Sequence, residues 1–421
     1  MLAKNRPTPM NRRCLLFLLL TLFAESACLG QEAPPCGIWT GTLKLRSGEL
    51  RVVYCIERRG DSLTAVLDSP DQYAKDIPVE RIYFSGDSIR LKSKSIGATY
   101  SGRYRKDRDC FEGKFSQNGK FSLRLERTDE RITWKRPQQP QPPFPYHEEE
   151  TTFRSADGKT ELNGTLCLPE GKGPFPAVVM VSGSGWQDRN ESLFGHQPFY
   201  VLADYLARHG IASLRYDDRY GDGSSLDFSK DAEGGIRCLN ADPRIDALHT
   251  GVLGHSEGGT IAFLLASRLK EVKFIVSFAG ALFPEETLMY QLRAVSTAEG
   301  HPETADSITP AYFHRQAEAS HSPWLSCFLS IDGKKLIRKT HCPVLALNGT
   351  RDLQVPVLNV ERMQTLTRPH PDSEFLILPG LNHLMQHSET GHPKEYGEIE
   401  ETVAPEVLDA VTKFIQKISS H

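Results

Sequence analysis

The stretch His249-Thr250-Gly251-Val252-Leu253-Gly254-His255-Ser256-Glu257-Gly258-Gly259, continuing as Thr260-Ile261-Ala262-Phe263-Leu264-Leu265-Ala266, decides how this chain is read. A short apolar run of strand character enters Gly-His-Ser-Glu-Gly and leaves into an Ala/Leu-rich run of helical character. A serine at the tip of such a strand-to-helix turn has a strained backbone, and the residues two before and two after it must be nearly free of side chain. Gly254 and Gly258 meet that need. A helix starting after Ser256 aims its first N–H groups at a reacting centre, which makes the amide of Glu257 a candidate oxyanion donor. The pattern predicts a nucleophilic serine; the strand before it and the helix after it carry that reading more than Gly-x-Ser-x-Gly does alone.

Outward from this turn, strand-like and helix-like segments alternate. Residues 161–168, 177–181, 212–216, 252–254, 274–278, 344–347 and 375–378 read as strands, and 199–209, 229–240 and 405–418 as helices. Such alternation predicts a mostly parallel sheet wrapped by helices over residues 148–421, with its active site at the carboxyl ends of the strands. Just past the 344–347 strand stands Asp352, and just past 375–378 stands His383. Their order after Ser256 matches a Ser, acid, His triad: Ser256 as nucleophile, His383 as base, Asp352 holding the imidazole. His387 and His392 are the alternative bases, Asp332 and Asp372 the alternative acids. After the 177–181 strand runs Ser182-Gly183-Ser184-Gly185-Trp186-Gln187-Asp188-Arg189. Gly183 and Gly185 let this backbone approach a substrate, and the amide of Ser184 is the second candidate oxyanion donor. Asp217-Asp218-Arg219 closes another strand and is expected to pair with Asp188-Arg189 in a network that orients the loops. No P-loop, metal-ligand spacing or dinucleotide fingerprint is present, so neither a cofactor nor a metal is expected.

Upstream, Arg136-Pro137-Gln138-Gln139-Pro140-Gln141-Pro142-Pro143-Phe144-Pro145 cannot join a sheet, and residues 136–147 read as an extended interdomain linker. Before it, residues 36–130 alternate apolar and polar positions in short runs, with hairpin-like turns at Ser47-Gly48, Arg59-Gly60-Asp61 and Asn118-Gly119. This predicts a small antiparallel barrel or sandwich with an accessory role. Residues 1–30 read as a cleavable signal: Asn11-Arg12-Arg13 supplies positive charge, and the apolar run Cys14 to Ala24 is too short to span a bilayer. A secreted or periplasmic protein is expected, with no transmembrane span once the signal is removed; lipid attachment at Cys28 is the less favoured route because Glu25 stands where a branched residue is expected. The seven cysteines past residue 30 match no zinc pattern, and a Cys36, Cys55 or Cys110 pairing is allowed but not implied. Net charge is −3 overall, yet residues 36–136 carry about +7 and the later chain about −12. Nothing in this balance points to nucleic acid; the expected partner is a small ester or an acylated glycan.

Taken together, the motifs at 182–189, 215–219, 254–259, 347–352 and 381–383 resemble bacterial α/β-hydrolase esterases of the EstD type, a group related to dienelactone hydrolases and acylaminoacyl peptidases. The resemblance covers roughly residues 148–421. It implies an α/β-hydrolase fold with a small cap at 280–340, preceded by the small antiparallel all-β domain, and a carboxylester hydrolase forming an acyl-serine intermediate on short acyl chains without a metal. Tyr220 departs from the pattern, standing where such families place glycine, and Trp324, Phe328 and Leu329 are candidates for the apolar wall of the cap. Two other activities stay open at this point, a serine peptidase on the same fold and a glycan deacetylase.

Overall fold

The computed structural model describes residues 36–420 apart from 47 and 307, and these fall into two units that divide between Thr133 and Trp134. The expected signal at 1–30, Cys28 and Ser47 of the first expected turn lie outside the described residues.

In the first unit nine strands form one continuous antiparallel sheet: β1 Gly37–Leu45, β2 Gly48–Arg59, β3 Ser62–Ser69, β4 Ala74–Pro78, β5 Arg81–Ser85, β6 Ser88–Ser93, β7 Ala98–Arg105, β8 Cys110–Ser116 and β9 Lys120–Thr128. Their order is β4-β3-β2-β1-β9-β8-β7-β6-β5, so β1 and β9 pair in the middle and the sheet is not split into two stacked layers. Period-two alternation builds the core: Ile89 and Leu91 of β6 and Leu123 and Leu125 of β9 point inward beside Trp39, Tyr54, Tyr100 and Phe111.

The second unit holds an eight-stranded sheet with the order β10-β11-β13-β12-β14-β15-β16-β17. Its strands are β10 His147–Arg154, β11 Glu161–Leu168, β12 Phe175–Val181, β13 Ala212–Tyr216, β14 Ile245–His255, β15 Ile275–Phe278, β16 Val344–Gly349 and β17 Glu374–Leu378. Strands β10 and β11 run antiparallel at one edge, and β13 through β17 are parallel. The helices are α1 Pro198–Arg208, α2 Ser225–Ala241, α3 Glu257–Ala266, α4 Pro284–Ala298, α5 Glu303–Asp306, α6 Pro310–Ser320, α7 Pro323–Leu329, α8 Gly333–Lys339, α9 Leu358–Leu366 and α10 Pro405–Ser419. Alternate residues of β12 feed two cores. Val178 and Met180 pack with Phe199, Leu206 and Phe414 on the face covered by α1 and α10; Ala177, Val179 and Val181 pack with Ile236, Ile261 and Met363 on the other, under α2, α3 and α9. From β12 the chain passes to β13 on one side and then to β14 on the other. That reversal opens a crevice beyond the carboxyl ends of β12 and β14.

Two features add detail to what was expected. The proline- and glutamine-rich stretch is fastened to the second unit: Arg136 donates to the carbonyls of Phe194, Gly195, Gly397 and Ile399, and the Gln138 side chain accepts from the amides of Thr402 and Val403. Prolines remove backbone donors, but the interleaved Arg and Gln side chains supply their own. Between β15 and β16 the expected cap region contains five helices, α4 to α8. No helix among the described residues is long and apolar enough to cross a membrane.

Candidate active site

Strand β14 ends at His255, and α3 begins one residue past Ser256, so Ser256 is the turn itself, with φ +54° and ψ −114°. A side chain at Gly254 would collide with the carbonyl of Gly258, and one at Gly258 with the carbonyl of Val181. The turn therefore closes only with glycine at both positions. Its amide is tied to the neighbouring strand, Ser256 N–H donating to the Phe278 carbonyl at 2.8 Å. Ser256 is half-buried, and its hydroxyl makes no hydrogen bond among the described residues. A loose or absent contact from the nucleophile is common before substrate arrives.

Asp352 follows β16 and His383 follows β17, two strands paired in parallel register, which brings the loops together. Nδ1 of His383 lies 2.8 Å from one carboxylate oxygen of Asp352. The other oxygen accepts the amides of Gln354 at 2.7 Å and Val355 at 2.9 Å. Both residues are buried. Such an acceptor-rich carboxylate holds the ring with its proton on Nδ1, leaving Nε2 free to take one. From α4, the hydroxyl of Tyr290 donates to the Asp352 backbone carbonyl at 2.8 Å.

Beneath Ser256 lies a pair that sequence reasoning missed. The ring of His255 sits 4.7 Å from that of His383, its Nε2 is 2.9 Å from the His383 carbonyl, and its Nδ1 is 2.8 Å from Glu191. Burial disfavours the charged imidazole, but the Glu191 carboxylate and its hydrogen bond outweigh it, so the His255 pKa is raised. The same Glu191 oxygen accepts the Gly183 amide at 2.9 Å. One carboxylate thereby connects the serine turn, the base loop and the loop after β12. The available signal was an acid two residues beyond Asp188-Arg189 in a segment already singled out.

The loop after β12 lies against the serine: a Cβ on Gly183 would stand 3.3 Å from that of Ser256. With the Gly183 amide taken by Glu191, the Ser184 amide has no partner among the described residues, and Gly185 has φ +91°. The Glu257 amide is the first of α3 and has no intrahelical acceptor. The Glu257 carboxylate is buried, accepting from Ser225 Oγ at 2.5 Å and from Trp324 Nε1 at 2.8 Å. Asp218 accepts from Ser182 Oγ at 3.0 Å and the Gln187 amide at 2.8 Å, and burial pushes its pKa up to about 7. Arg189 and Asp217 form the expected pair at 2.7 Å. Arg219 does not join them: it turns to Asp231 on α2 at 2.6 Å, because that buried carboxylate needs a counter-charge. Asp188 instead caps its own turn through the amides of Asn190 and Ser192.

The alternative acids and bases are engaged elsewhere. His387 sits between Glu401 and Glu406, His392 accepts the Lys394 amide, Asp332 caps α8, and Asp372 faces Lys417. The seven described cysteines are free thiols, and no cluster of three or more His, Cys, Asp or Glu among the described residues is arranged to hold a metal.

Residues 232–385 match the family described as BAAT / Acyl-CoA thioester hydrolase C terminal. Esterase EstD of Thermotoga maritima is 29% identical over 275 residues, covering 60% of this chain and 66% of that protein. The chain has an α/β-hydrolase fold. The chain is also 32% identical over 123 residues to acyl-coenzyme A thioesterase 3 of Mus musculus, covering 29% of the chain and 27% of the relative. To acyl-coenzyme A amino acid N-acyltransferase 2 of Rattus norvegicus it is 25% identical, covering 53% of the chain and 52% of the relative. The chain spans less than two thirds of the length of each of these relatives. Among solved structures, Est1E from Butyrivibrio proteoclasticus aligns with a TM-score of 0.45 at 17% identity, over 65% of this chain and 100% of that one. The family match encloses Ser256, Asp352 and His383 together.

Proposed function

We propose that this hydrolase is a serine carboxylesterase acting on short-chain acyl esters, acetyl esters among them, through an acyl-enzyme on Ser256. The observation that carries the reading is the 2.8 Å Asp352–His383 pair beside a strained serine turn, with His255 bonding the His383 backbone. In the first half-reaction Ser256 Oγ attacks the ester carbonyl while its proton passes to His383 Nε2. The carbonyl oxygen takes the electron pair and rests on the amides of Ser184 and Glu257. Collapse expels the alkoxide, which receives the proton from His383 and departs as the alcohol. In the second half-reaction His383 deprotonates a water that attacks the acyl-serine, and collapse returns that proton to Ser256 Oγ as the carboxylic acid leaves. Each oxyanion donor of this kind contributes about 3 kcal/mol. The signal-like segment at 1–30 supports an exported enzyme.

A second reading, hydrolysis of acyl thioesters, is favoured by one observation: the family match carries that description over the segment holding all three residues. The two are separated by measuring kcat/KM on p-nitrophenyl acetate, butyrate and octanoate, on acetyl-coenzyme A, and on an aminoacyl-p-nitroanilide. The carboxylesterase reading expects the acetate and butyrate esters to be preferred. Preference for the thioester supports the second reading, and cleavage of the anilide alone overturns both.

A further inference from the structure

A cleft of about 440 Å³ opens beside Ser184. Its walls include Trp186, Phe228 and Trp324, together with Asp218 and Asp222. Trp186 is 59% exposed, and its ring centroid lies 6.2 Å from that of Tyr220, which is 95% exposed. Folding leaves large aromatic faces in water only at a cost, and a pair of them beside a candidate catalytic centre marks a surface used for binding. Another lining residue, Trp324, donates to the carboxylate of Glu257 beside Ser256 and stacks on Phe328 at 5.4 Å. The cleft thus touches the loop of Ser184 directly and the serine turn through Trp324.

We propose that this cleft binds the alcohol half of the ester and that this half is a neutral sugar ring, its C–H face on Trp186 and Tyr220 and its hydroxyls donating to Asp222. The assignment rests on the esterase reading. Charge selects among alcohols. Arg219, which also reaches the wall, is committed to Asp231 through two bonds of 2.6 Å, and Asp218 is taken by Ser182 and the Gln187 amide, so the cleft offers the Asp222 carboxylate without an uncommitted cation among its lining side chains. A phosphate-bearing leaving group such as coenzyme A meets repulsion there. A plain alkyl chain strips water from the carboxylate and returns no hydrogen bond. A sugar ring satisfies both surfaces at once, with an apolar face for the rings and donors for the carboxylate.

The test follows acetate release from an acetylated methyl xyloside, ethyl acetate, acetylcholine and acetyl-coenzyme A by the full-length enzyme and by Trp186→Ala, Trp186→Phe and Tyr220→Ala. The expected result is a roughly tenfold fall in the kcat/KM ratio of sugar ester to ethyl acetate in Trp186→Ala, carried by KM, with partial recovery in Trp186→Phe. Tyr220→Ala, at a fully accessible position, gives a smaller fall in the same ratio and guards against a folding defect in Trp186→Ala. An unchanged ratio in both alanine variants overturns the proposal, as does a larger loss on acetylcholine or acetyl-coenzyme A than on the sugar ester. If the unmodified enzyme releases acetate from none of the oxygen esters, the esterase reading itself fails; if it cleaves ethyl acetate and the ratio does not move, only the sugar assignment fails.

Discussion

The Glu257 side chain links the serine turn to the cap, yet the two are specified in opposite ways. At the turn every requirement is local: Gly254 and Gly258 avoid collisions within a few residues of Ser256, and the strand and helix that frame it adjoin it in sequence. In the cap, α7 has meaning only through Trp324, whose partner Glu257 is 67 residues away. In the proposed mechanism the turn sets where the chemistry happens, whereas the cap and the neighbouring cleft set what reaches it. Substitutions at the turn should thus depress all substrates together, and those in the cap and cleft should change the order of preference.

The largest effect tests the first half of that contrast. Ser256→Ala is expected to lower kcat on every ester by about ten-thousand-fold or more, and Asp352→Asn to come close to it because the imidazole loses its tautomer control. Steady-state kinetics on p-nitrophenyl acetate measure both. Substantial activity in Ser256→Ala breaks the comparison outright.

Next comes the support under the turn. Glu191→Ala leaves His255 buried without its charged partner and should cost about 3 kcal/mol of stability, read by urea unfolding. Glu191→Gln keeps an acceptor for the Gly183 amide and should cost less. Equal losses in the two variants would mean that the carboxylate charge, rather than the hydrogen bond to the loop, dominates.

A smaller effect tests the link between the regions. Trp324→Phe keeps the ring against Phe328 but removes the donor to Glu257, so kcat should fall several-fold through the misplaced amide while KM for ethyl acetate moves little. A change confined to KM would place Trp324 in substrate contact alone.

The smallest is a pH effect away from both regions. Burial, aided by the nearby Arg136 charge, lowers the His196 pKa to about 4 from the ordinary 6.5. The unfolded chain then binds the extra proton first, so the stability from a neutral His196 is complete above about pH 6.5 and is lost as pH falls toward 4. Melting temperatures between pH 7 and 4 should drop less steeply in His196→Gln. An identical slope would remove His196 from the account.

What could be read in advance follows the same divide. The strands at 161–168 and 212–216 were legible to the residue because apolar residues fall at alternate positions, Leu162, Leu166 and Leu168 in one and Ala212, Leu214 and Tyr216 in the other. Strand β10, His147–Arg154, was not: its Glu148-Glu149-Glu150 run has poor strand propensity and is held by pairing along β11 at an exposed edge. Ser256, Asp352 and His383 were legible because strand-end placement orders them along the chain. Glu191 was not, since its partner His255 is 64 residues distant and nothing in either neighbourhood names the other. The turn of Arg219 toward Asp231 was misjudged for the same reason: the counter-charge sits on a helix whose inward face shows only once it packs.

The central claim is that Ser256 is the residue acylated in turnover. Labelling the full-length enzyme with a fluorophosphonate and mapping the modified peptide by mass spectrometry tests this most directly. The account predicts one adduct, on Ser256, formed in step with loss of esterase activity; an adduct on another serine accompanied by the same loss would contradict it.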